Sequence, residues 1–266
     1  MNNRLMLRRV QQAINPFQDS TLAYDLLDLG LSATNVIRVR RTGGATPTEA
    51  DFTTTEIIDG TLASWVGVSN DGFVTILYNQ KGTNNFIQTT SSSQPKIVSN
   101  GVLETENGNP TIIFDGVDDY METEFTVANN QPYLLNIIAK YITSSNFSYI
   151  YGQESDGTDV RIQQQSINTN RVRVFSGMEE DVTLTSILDQ NLYAILFNGA
   201  SSNVNINDVD NIANVGTDNG IGKLVIGARF NATFNGNISF QHFSIFNQNT
   251  INTDVINKLN SDYNIF

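Results

Sequence analysis

The segment YLLNIIAKYITSSNFSYIYGQESDGTDVRIQQQSINTNRVRVF, residues 133–175, decides the fold class. It contains short runs rich in β-branched and aromatic residues, which favour extended strands. Clusters of Ser, Asn, Gly and Asp separate these runs and favour turns. The runs cover 133–142, 147–151, 160–165 and 171–175. Consecutive strands joined by short turns predict an antiparallel sheet.

The same pattern continues on both sides of this segment. An alternating run at 35–41 follows the period of two expected of a strand, and Asn70-Asp71-Gly72 forms a strong turn signal. With 266 residues, 39% of them apolar, the chain is long enough to bury one full core. We therefore predict one all-β, antiparallel sandwich over residues 19–266. Its further strands are expected at 73–79, 111–114, 192–197, 223–228 and 238–246.

The N-terminal segment, residues 1–18, has a different pattern. Leu7, Val10 and Ile14 recur at helical spacing, and Asn15-Pro16 supplies a stop. We predict a short amphipathic helix that either packs on its own sandwich or anchors a partner or an identical subunit. The anchoring hypothesis uses Leu7, Arg8, Arg9, Val10 and Ile14.

Other short helices are expected within residues 19–266. One stretch, 22–29, has helical character, and 61–66 is expected to form a helical turn that places Trp65, the only tryptophan, in the core. Near the end, Val255, Ile256 and Leu259 follow Thr253 at helical spacing. A short C-terminal helix should therefore close the sandwich.

Composition excludes several function classes. A net charge of −12 argues against nucleic-acid binding, which depends on clustered basic side chains. The chain has no cysteine and a single histidine, His242, so thiolate and most histidine sites are excluded, and we interpret His242 as structural. No apolar stretch is long enough to span a bilayer, so no membrane contact is expected. Arginines occupy the first residues where a secretory signal needs an apolar run, and we expect no conventional signal peptide.

Two stretches resemble concanavalin-like and laminin-G-like modules. IIFDGVDDYMETEFTV, residues 112–127, resembles their opening strand, Phe-Asp-Gly turn and second strand. KLVIGARFNATFNGNISFQHFSIFNQNTINTDVINKLNSDYN, residues 223–264, resembles their closing hairpin, strand and helix. The resemblance implies a jelly-roll sandwich that ends in a short C-terminal helix, and the N-terminal helix predicted from the spacing of residues 1–18 is added to it.

Residues 23–98 resemble the N-terminal part of α-L-arabinofuranosidase B catalytic domains, and of phage virion proteins that share that domain. The matching pieces are AYDLLDLG, NVIRVRRTGG, GFVTILYNQKGTNNFIQTT and QPKIV. Asn79 and Gly44 stand where the family has acidic residues.

Glycosidases need two carboxyl groups on either side of the bond that they cleave. The arabinofuranosidase resemblance implies one carboxylate in 226–231, where this chain has Arg229 and Asn231. Arginine cannot act as a general acid, because it does not deprotonate in proteins. The other carboxylate would fall in 152–161, which contains the acids Glu154, Asp156 and Asp159. We interpret these three acids as turn-forming. We interpret the second acidic cluster, 178–181, as a solvated loop. We therefore predict that the chain is not an enzyme.

Exposed aromatic and amide groups on the predicted strands could bind a glycan, or could be ordinary sheet surface. The predicted glycan-contacting residues are Tyr149, Tyr151, Asp159, Arg161 and Arg229, with Gln163, Gln165, Arg171 and Arg173 on the same strands.

Asp115, Asp118 and Asp119 could bind Ca²⁺ through carboxylate oxygens, but lack the EF-hand pattern. The alternative is a turn stabilised by the Asp115 side chain. We predict no cofactor and no dedicated metal site, with Ca²⁺ as the open alternative.

These observations lead to three functional hypotheses. The first is a non-enzymatic bacteriophage virion protein: a head fibre, capsid decoration or tail-associated component at the particle surface. It would form a homo-oligomer or bind other virion proteins through its N-terminal helix, and could contact host-surface glycans. The second is a lectin-like carbohydrate-binding module of a bacterium. The third is an arabinofuranosidase-like glycoside hydrolase.

Overall fold

The computed structural model describes residues 14–44, 46, 48–167 and 169–266. Over this part the chain is an all-β antiparallel sandwich, as the strand pattern predicts. The predicted N-terminal helix and the anchoring residues Leu7, Arg8, Arg9 and Val10 lie outside the described residues. Ile14, the first described residue, is 84% exposed.

Over the described residues, the sandwich is built from short strands and three short α-helices. The helices are α1 (Thr54–Ile58), α2 (Thr61–Val66) and α3 (Thr253–Tyr263). The strands are β1 (Leu22–Asp25), β2 (Ile37–Arg41), β3 (Glu49–Phe52), β4 (Gly72–Leu77), β5 (Phe86–Ile87), β6 (Lys96–Ser99), β7 (Val102–Leu103), β8 (Thr105–Glu106), β9 (Asn109–Pro110), β10 (Ile112–Asp115), β11 (Met121–Thr123), β12 (Tyr133–Tyr141), β13 (Ser148–Ser155), β14 (Asp159–Gln164), β15 (Arg171–Phe175), β16 (Glu179–Thr183), β17 (Asn191–Phe197), β18 (Ser202–Ile206), β19 (Ile212–Ala213), β20 (Gly220–Ile226) and β21 (Asn237–Phe246).

The strands form two layers that share one core. The first layer has the order β18-β17-β12-β21, and both β1 and β10 pair with the free edge of β21. The second layer has the order β16-β15-β14-β13-β20-β11-β5-β4-β2-β3. Strand β4 connects the two layers. The start of β4 pairs with β6, which pairs in turn with β10 beside the first layer. The end of β4 pairs with β5 of the second layer.

The core lies between the layers and contains a group of aromatic rings. Phe243 of β21 contacts Tyr24, Phe86 and Tyr151, with ring centroids 5.4 to 5.9 Å apart. These rings come from both layers, so their burial stabilises the packing of one layer on the other.

The outward side of the first layer is covered by α3. Val255, Leu259 and Tyr263 of this helix pack against a second apolar cluster on β12, β17 and β21. Both sides of these strands are therefore buried, which explains why they read as nearly continuous apolar runs. Over the described residues, the outward side of the second layer at β13–β16 is covered only in part, by the turn at 227–236, and its side chains there are largely polar.

A buried polar network ties the first layer to α3. Asp25 of β1 accepts hydrogen bonds from the Leu27 backbone N–H and the Tyr263 hydroxyl. The second oxygen of its carboxylate lies 2.6 Å from His242 Nδ1, and His242 Nε2 lies 2.9 Å from Ser244 Oγ. All four side chains are fully buried. The structural interpretation of His242 agrees with this position.

Two local predictions are wrong. The expected helix at 22–29 is strand β1 over its first half, because pairing with β21 buries all of Leu22–Asp25. The expected acidic loop at 178–181 is mostly strand β16, which pairs with β15. Long-range pairing overrode local propensity in both segments.

The helix predictions at 61–66 and near the C-terminus are confirmed. Helix α2 carries Trp65, which is partly buried, and its ring packs edge-on against Phe52 at 5.2 Å. Helix α3 is capped by the Asn252 side chain, one residue before the Thr253 expected from the sequence. Among the described residues, no helix combines the length and the hydropathy needed to cross a membrane.

Replacing Asp25 by Ala should lower the free energy of unfolding by about 3–5 kcal/mol, because it leaves His242, Tyr263 and the Leu27 N–H without their buried acceptor. Urea unfolding measures this change. Asp189→Ala, at an exposed position, is the matched control and should change stability by less than about 0.5 kcal/mol. Equal effects of the two variants would contradict a stabilising role for the network.

Candidate functional site

The open side of strands β13–β16, called here the outer face, presents its side chains in rows. Residues that are directly opposite on antiparallel strands point to the same side of a sheet, so the strand register defines each row. The three rows are Glu154 and Asp159; Gly152, Arg161, Phe175 and Glu179; and Tyr149, Gln163, Arg173 and Asp181.

Asp159 is the buried acid of the outer face. Its side chain is completely buried from solvent, and each of its two carboxylate oxygens forms an ion pair with an arginine. Arg161 Nη1 contacts Oδ1, and Arg229 Nε donates to Oδ2 at 3.0 Å. A buried carboxylate without partners would be strongly destabilising, so the two guanidinium groups are what allow Asp159 to lie here.

Arg229 reaches Asp159 because the turn at 227–236 lies directly on Gly152. A Cβ atom at position 152 would lie 2.8 Å from the Phe230 nitrogen and 3.0 Å from the Ala228 oxygen. Only a glycine leaves this space free, since such contacts are shorter than van der Waals packing permits. The turn is closed by the Arg229 N–H, which donates to the Thr233 carbonyl at 2.9 Å.

Arg161 and Arg173 of the outer face make further contacts with an aromatic ring and with acids. The Arg161 guanidinium lies over the Phe175 ring, 3.9 Å from its centroid. Arg173 contacts Asp181 at 2.7 Å and Glu179 at 2.7 Å. The hydrogen bonds from Arg173 hold the pKa of Asp181 below its usual value. The face is therefore an ordered array of charges and not a set of independent surface side chains.

Four of the five predicted glycan-contacting residues come together here. Tyr149, Asp159, Arg161 and Arg229 surround one point of the outer face, and burial raises the pKa of the Tyr149 phenol.

Tyr151 does not join them. A β-bulge between Tyr149 and Tyr151 turns both Ile150 and Tyr151 inward. The Tyr151 ring is fully buried in the core, and its hydroxyl donates to Gln153 at 3.0 Å. Tyr151 is therefore corrected from a glycan-contacting to a core residue.

The sequence analysis missed two parts of this face. Phe175 alternates with Arg171 and Arg173 in RVRVF, so the period of two could have placed it beside the arginines. Glu179 was assigned to a loop. Its position depends on pairing with β15, for which the local sequence carries no signal.

The candidate calcium residues do lie together. Ligand atoms of Asp115, Asp118 and Asp119 are within 4.8 Å of one another. The turn interpretation also has support, because Asp115 Oδ1 accepts the Val117 N–H at 2.8 Å and Asp119 Oδ2 accepts the Asp115 N–H at 3.0 Å. Burial, with the neighbouring charges of Asp115 and Asp118, raises the pKa of Asp119 to about 7.

A surface cleft of about 430 Å³ lies elsewhere, between residues 128–132 and 247–249. Its lining side chains include no acid and no base. Acid–base chemistry therefore favours the outer face, where carboxylates, guanidinium groups and a phenol converge.

The comparisons with known proteins identify the fold. The sequence matches no protein-family model and no curated protein sequence. Similar solved structures include an arabinofuranosidase complexed with arabinofuranosyl-α-1,2-xylobiose, with a TM-score of 0.64 at 9% identity over 92% of this chain and 62% of that one. A GH54 α-L-arabinofuranosidase soaked with a cyclic sulfate inhibitor has a TM-score of 0.61 at 10% identity, with the same coverage. Trypanosoma rangeli sialidase has a TM-score of 0.50 at 10% identity over 71% of this chain and 31% of that one.

These likenesses place the chain among all-β sandwiches of the kind found in glycosidases. The chain spans 62% of the length of the arabinofuranosidases that it matches. The prediction that the chain is not an enzyme is contradicted, because the structural neighbours are carbohydrate-active hydrolases. That prediction looked for a second acid in 226–231. In the fold, the Arg229 found there instead binds the acid Asp159 of a neighbouring strand.

Gly152→Ala should lower the free energy of unfolding by about 1–3 kcal/mol, because the new methyl group forces the turn away from the sheet. The same shift should weaken the Arg229–Asp159 pair. A double-mutant cycle with Arg229→Ala, measured by urea unfolding, should therefore give a combined loss smaller than the sum of the single losses. Additive losses would contradict the link between Gly152 and the ion pair.

Asp119 should make the protein less stable as the pH rises. Its pKa is about 7 when folded and about 3.9 when unfolded, so the folded state binds more protons between these values. Stability from this group is present below about pH 4 and is lost as the pH rises to about 7. Asp119→Asn should flatten this decline in urea unfolding, whereas Asp118→Asn should retain most of it.

Calcium separates the two interpretations of the aspartate cluster. If the three carboxylates bind the ion, added Ca²⁺ should raise the melting temperature of the wild type at about pH 7 and have no effect on Asp119→Asn. An unchanged wild-type melting temperature supports the turn alone.

Proposed function

We propose that this protein hydrolyses a glycosidic bond of a glycan bound on the outer face, with Glu154 and Asp159 as its carboxyl pair. One observation carries the proposal: these two acids are direct cross-strand partners of the β13–β14 hairpin and point to the same side of the sheet, the outer face. The proposal replaces the interpretation of both residues as turn-forming acids.

The spacing of the pair suits this chemistry. Direct cross-strand partners have Cβ atoms about 4.5–5.5 Å apart. Retaining glycosidases hold their two carboxyl groups about 5–5.5 Å apart, whereas inverting enzymes need about 6.5–9.5 Å to admit a water molecule. Acids on neighbouring positions of this register can bring their carboxyl groups to the shorter of these separations, which is compatible with the retaining mechanism, in which one acid forms a glycosyl ester and water later hydrolyses it.

The surroundings of the two acids suggest their roles. Glu154 is exposed and, among the described residues, forms no ion pair, so it can exchange a proton with the leaving group and then with water. Asp159 forms two ion pairs, which suits a nucleophile rather than a proton donor. Since Asp159 is completely buried, Arg229 must move aside when the sugar enters. Its side chain is 30% exposed and lies on the turn, which gives it room to do so.

The structurally similar arabinofuranosidases indicate which substrates should be tested first. One of them is complexed with arabinofuranosyl-α-1,2-xylobiose, and another has been soaked with 4-nitrophenyl α-L-arabinofuranoside. Their likeness to this chain extends over 92% of it, at 9% identity. Aryl α-L-arabinofuranosides, followed by aryl pyranosides and polysaccharides, are therefore the substrates to test.

Glu154→Gln and Asp159→Asn should each lower kcat by about 10²–10⁴-fold, because each removes one half of the acid–nucleophile pair. Release of nitrophenol and of reducing sugar measures the change. Asp189→Asn, at an exposed acid outside the outer face, should keep kcat within about threefold. Circular dichroism and melting temperature confirm that each variant is folded. Loss of turnover in Asp189→Asn alone, or no turnover by the wild type on any substrate, would overturn the proposal.

The virion setting remains a separate prediction. Its support is the resemblance of residues 23–98 to phage virion proteins, which the solved structures do not address. Self-association, or anchoring to another virion protein through residues 1–18, rests on a segment most of which lies outside the described residues. Mass spectrometry of purified phage particles and native mass spectrometry of the full chain test these two points.

A further inference from the structure

Two exposed phenylalanines stand together at the edge of the outer face. Phe147 is 44% exposed and Phe234 is 49% exposed, with ring centroids 5.8 Å apart. Phe234 also stacks on Tyr149, at 6.0 Å and an interplanar angle of 24°. Tyr149 lies on the same side of the sheet as Arg161, the partner of Asp159, so the aromatic pair is on the face that carries the proposed catalytic acids.

The backbone at both positions is strained. Phe147 has φ 53° and Phe234 has φ 55°, in the left-handed region that bulky side chains avoid. Glycine or asparagine would adopt this conformation at lower cost. Full burial of the rings does not compensate for this conformational free energy, because about half of each ring remains in contact with solvent. Burial and ring contacts therefore offset the cost of this backbone conformation only in part, and a role in binding accounts for aromatic side chains at these positions.

The surroundings of the pair define the chemistry of its ligand. The two segments that carry the rings, 142–149 and 230–239, contain no charged residue in a protein of net charge −12. Their exposed polar groups include Asn146, Asn231 and Thr233, which offer uncharged hydrogen bonds. An apolar ring surface beside amide and hydroxyl groups complements a neutral sugar, whose C–H face is apolar and whose rim carries hydroxyls. Two half-exposed rings are far too small for a stable protein interface, which needs about 800 Å² per partner.

We propose that Phe147 and Phe234 form a sugar-stacking subsite that binds a neutral sugar unit next to the bond cleaved at Glu154 and Asp159. This inference rests on the proposed function, and it assigns to the protein an oligosaccharide or polysaccharide substrate with a neutral unit beside the scissile bond. The same turn carries Phe234 and Arg229, so a sugar that stacks on Phe234 contacts the segment that must release Asp159.

Phe147→Asn and Phe234→Asn test the subsite while relieving strain. Each variant removes a ring but keeps the left-handed backbone in a residue that tolerates it. We expect the melting temperature to be unchanged or raised, and affinity for a neutral xylan or arabinoxylan oligosaccharide to fall about tenfold. Binding is measured by calorimetry in the Glu154→Gln background, where no hydrolysis interferes. Phe147→Tyr should retain the affinity, because it keeps the ring.

Phe125→Asn is the matched control, since Phe125 is 63% exposed but lies outside both segments. It should leave the affinity unchanged. If the two Asn variants bind as tightly as the Glu154→Gln parent, or if Phe125→Asn weakens binding equally, the subsite is wrong.

The test also separates the subsite from the proposed hydrolysis. Turnover by the wild type with no effect of the ring variants on binding would overturn the subsite and leave the hydrolase proposal standing. Binding that depends on the rings, without turnover on any substrate, would support the subsite and overturn the hydrolase proposal.

Discussion

The hydrogen bond between Asp25 and His242 is the interaction on which the arrangement of this protein depends. It joins β1 to β21, the strand that pairs with β1, β10 and β12, and through Tyr263 it holds α3 against the first layer. Because α3 and its apolar cluster cover that layer, its outward side is unavailable to a ligand. The polar side chains that remain open across β13–β16 belong to the second layer, and the candidate site lies there.

A second constraint shapes the site itself. Because position 152 is a glycine, the turn at 227–236 packs directly against the sheet. This turn places both Arg229 and Phe234 on the outer face. Asp159 can therefore be buried as one member of an ion-paired group, while Glu154 opposite it remains exposed. One turn thus links the charged part of the site to its aromatic edge. A ligand that contacts one part is therefore in reach of the segment that carries the other.

The position of Arg229 explains why the prediction that the chain is not an enzyme was wrong. The arabinofuranosidase resemblance predicts a carboxylate near 226–231, and Arg229 at that place argues against catalysis. A carboxyl pair is defined by distance in space, however, and not by a fixed position in the chain. In the fold, Arg229 contacts the acid of a different strand, and the neighbouring acids Glu154 and Asp159 come from a single hairpin. The structural neighbours are glycosidases although their identity to this chain is 9–10%.

The sequence by itself determined the all-β class, most of the strands of residues 133–175, the strand at 238–246 and the C-terminal helix. These features depend on side-chain periodicity and on turn and capping residues, which act over a few neighbouring positions. Only the tertiary structure decided that Leu22–Asp25 is a strand, that Tyr151 faces the core and that Asp159 meets Arg229. Each of these outcomes requires a partner distant in the chain, or a bulge that reverses the side to which a residue points. The physical reason is that strand pairing and burial are long-range, whereas propensity is local.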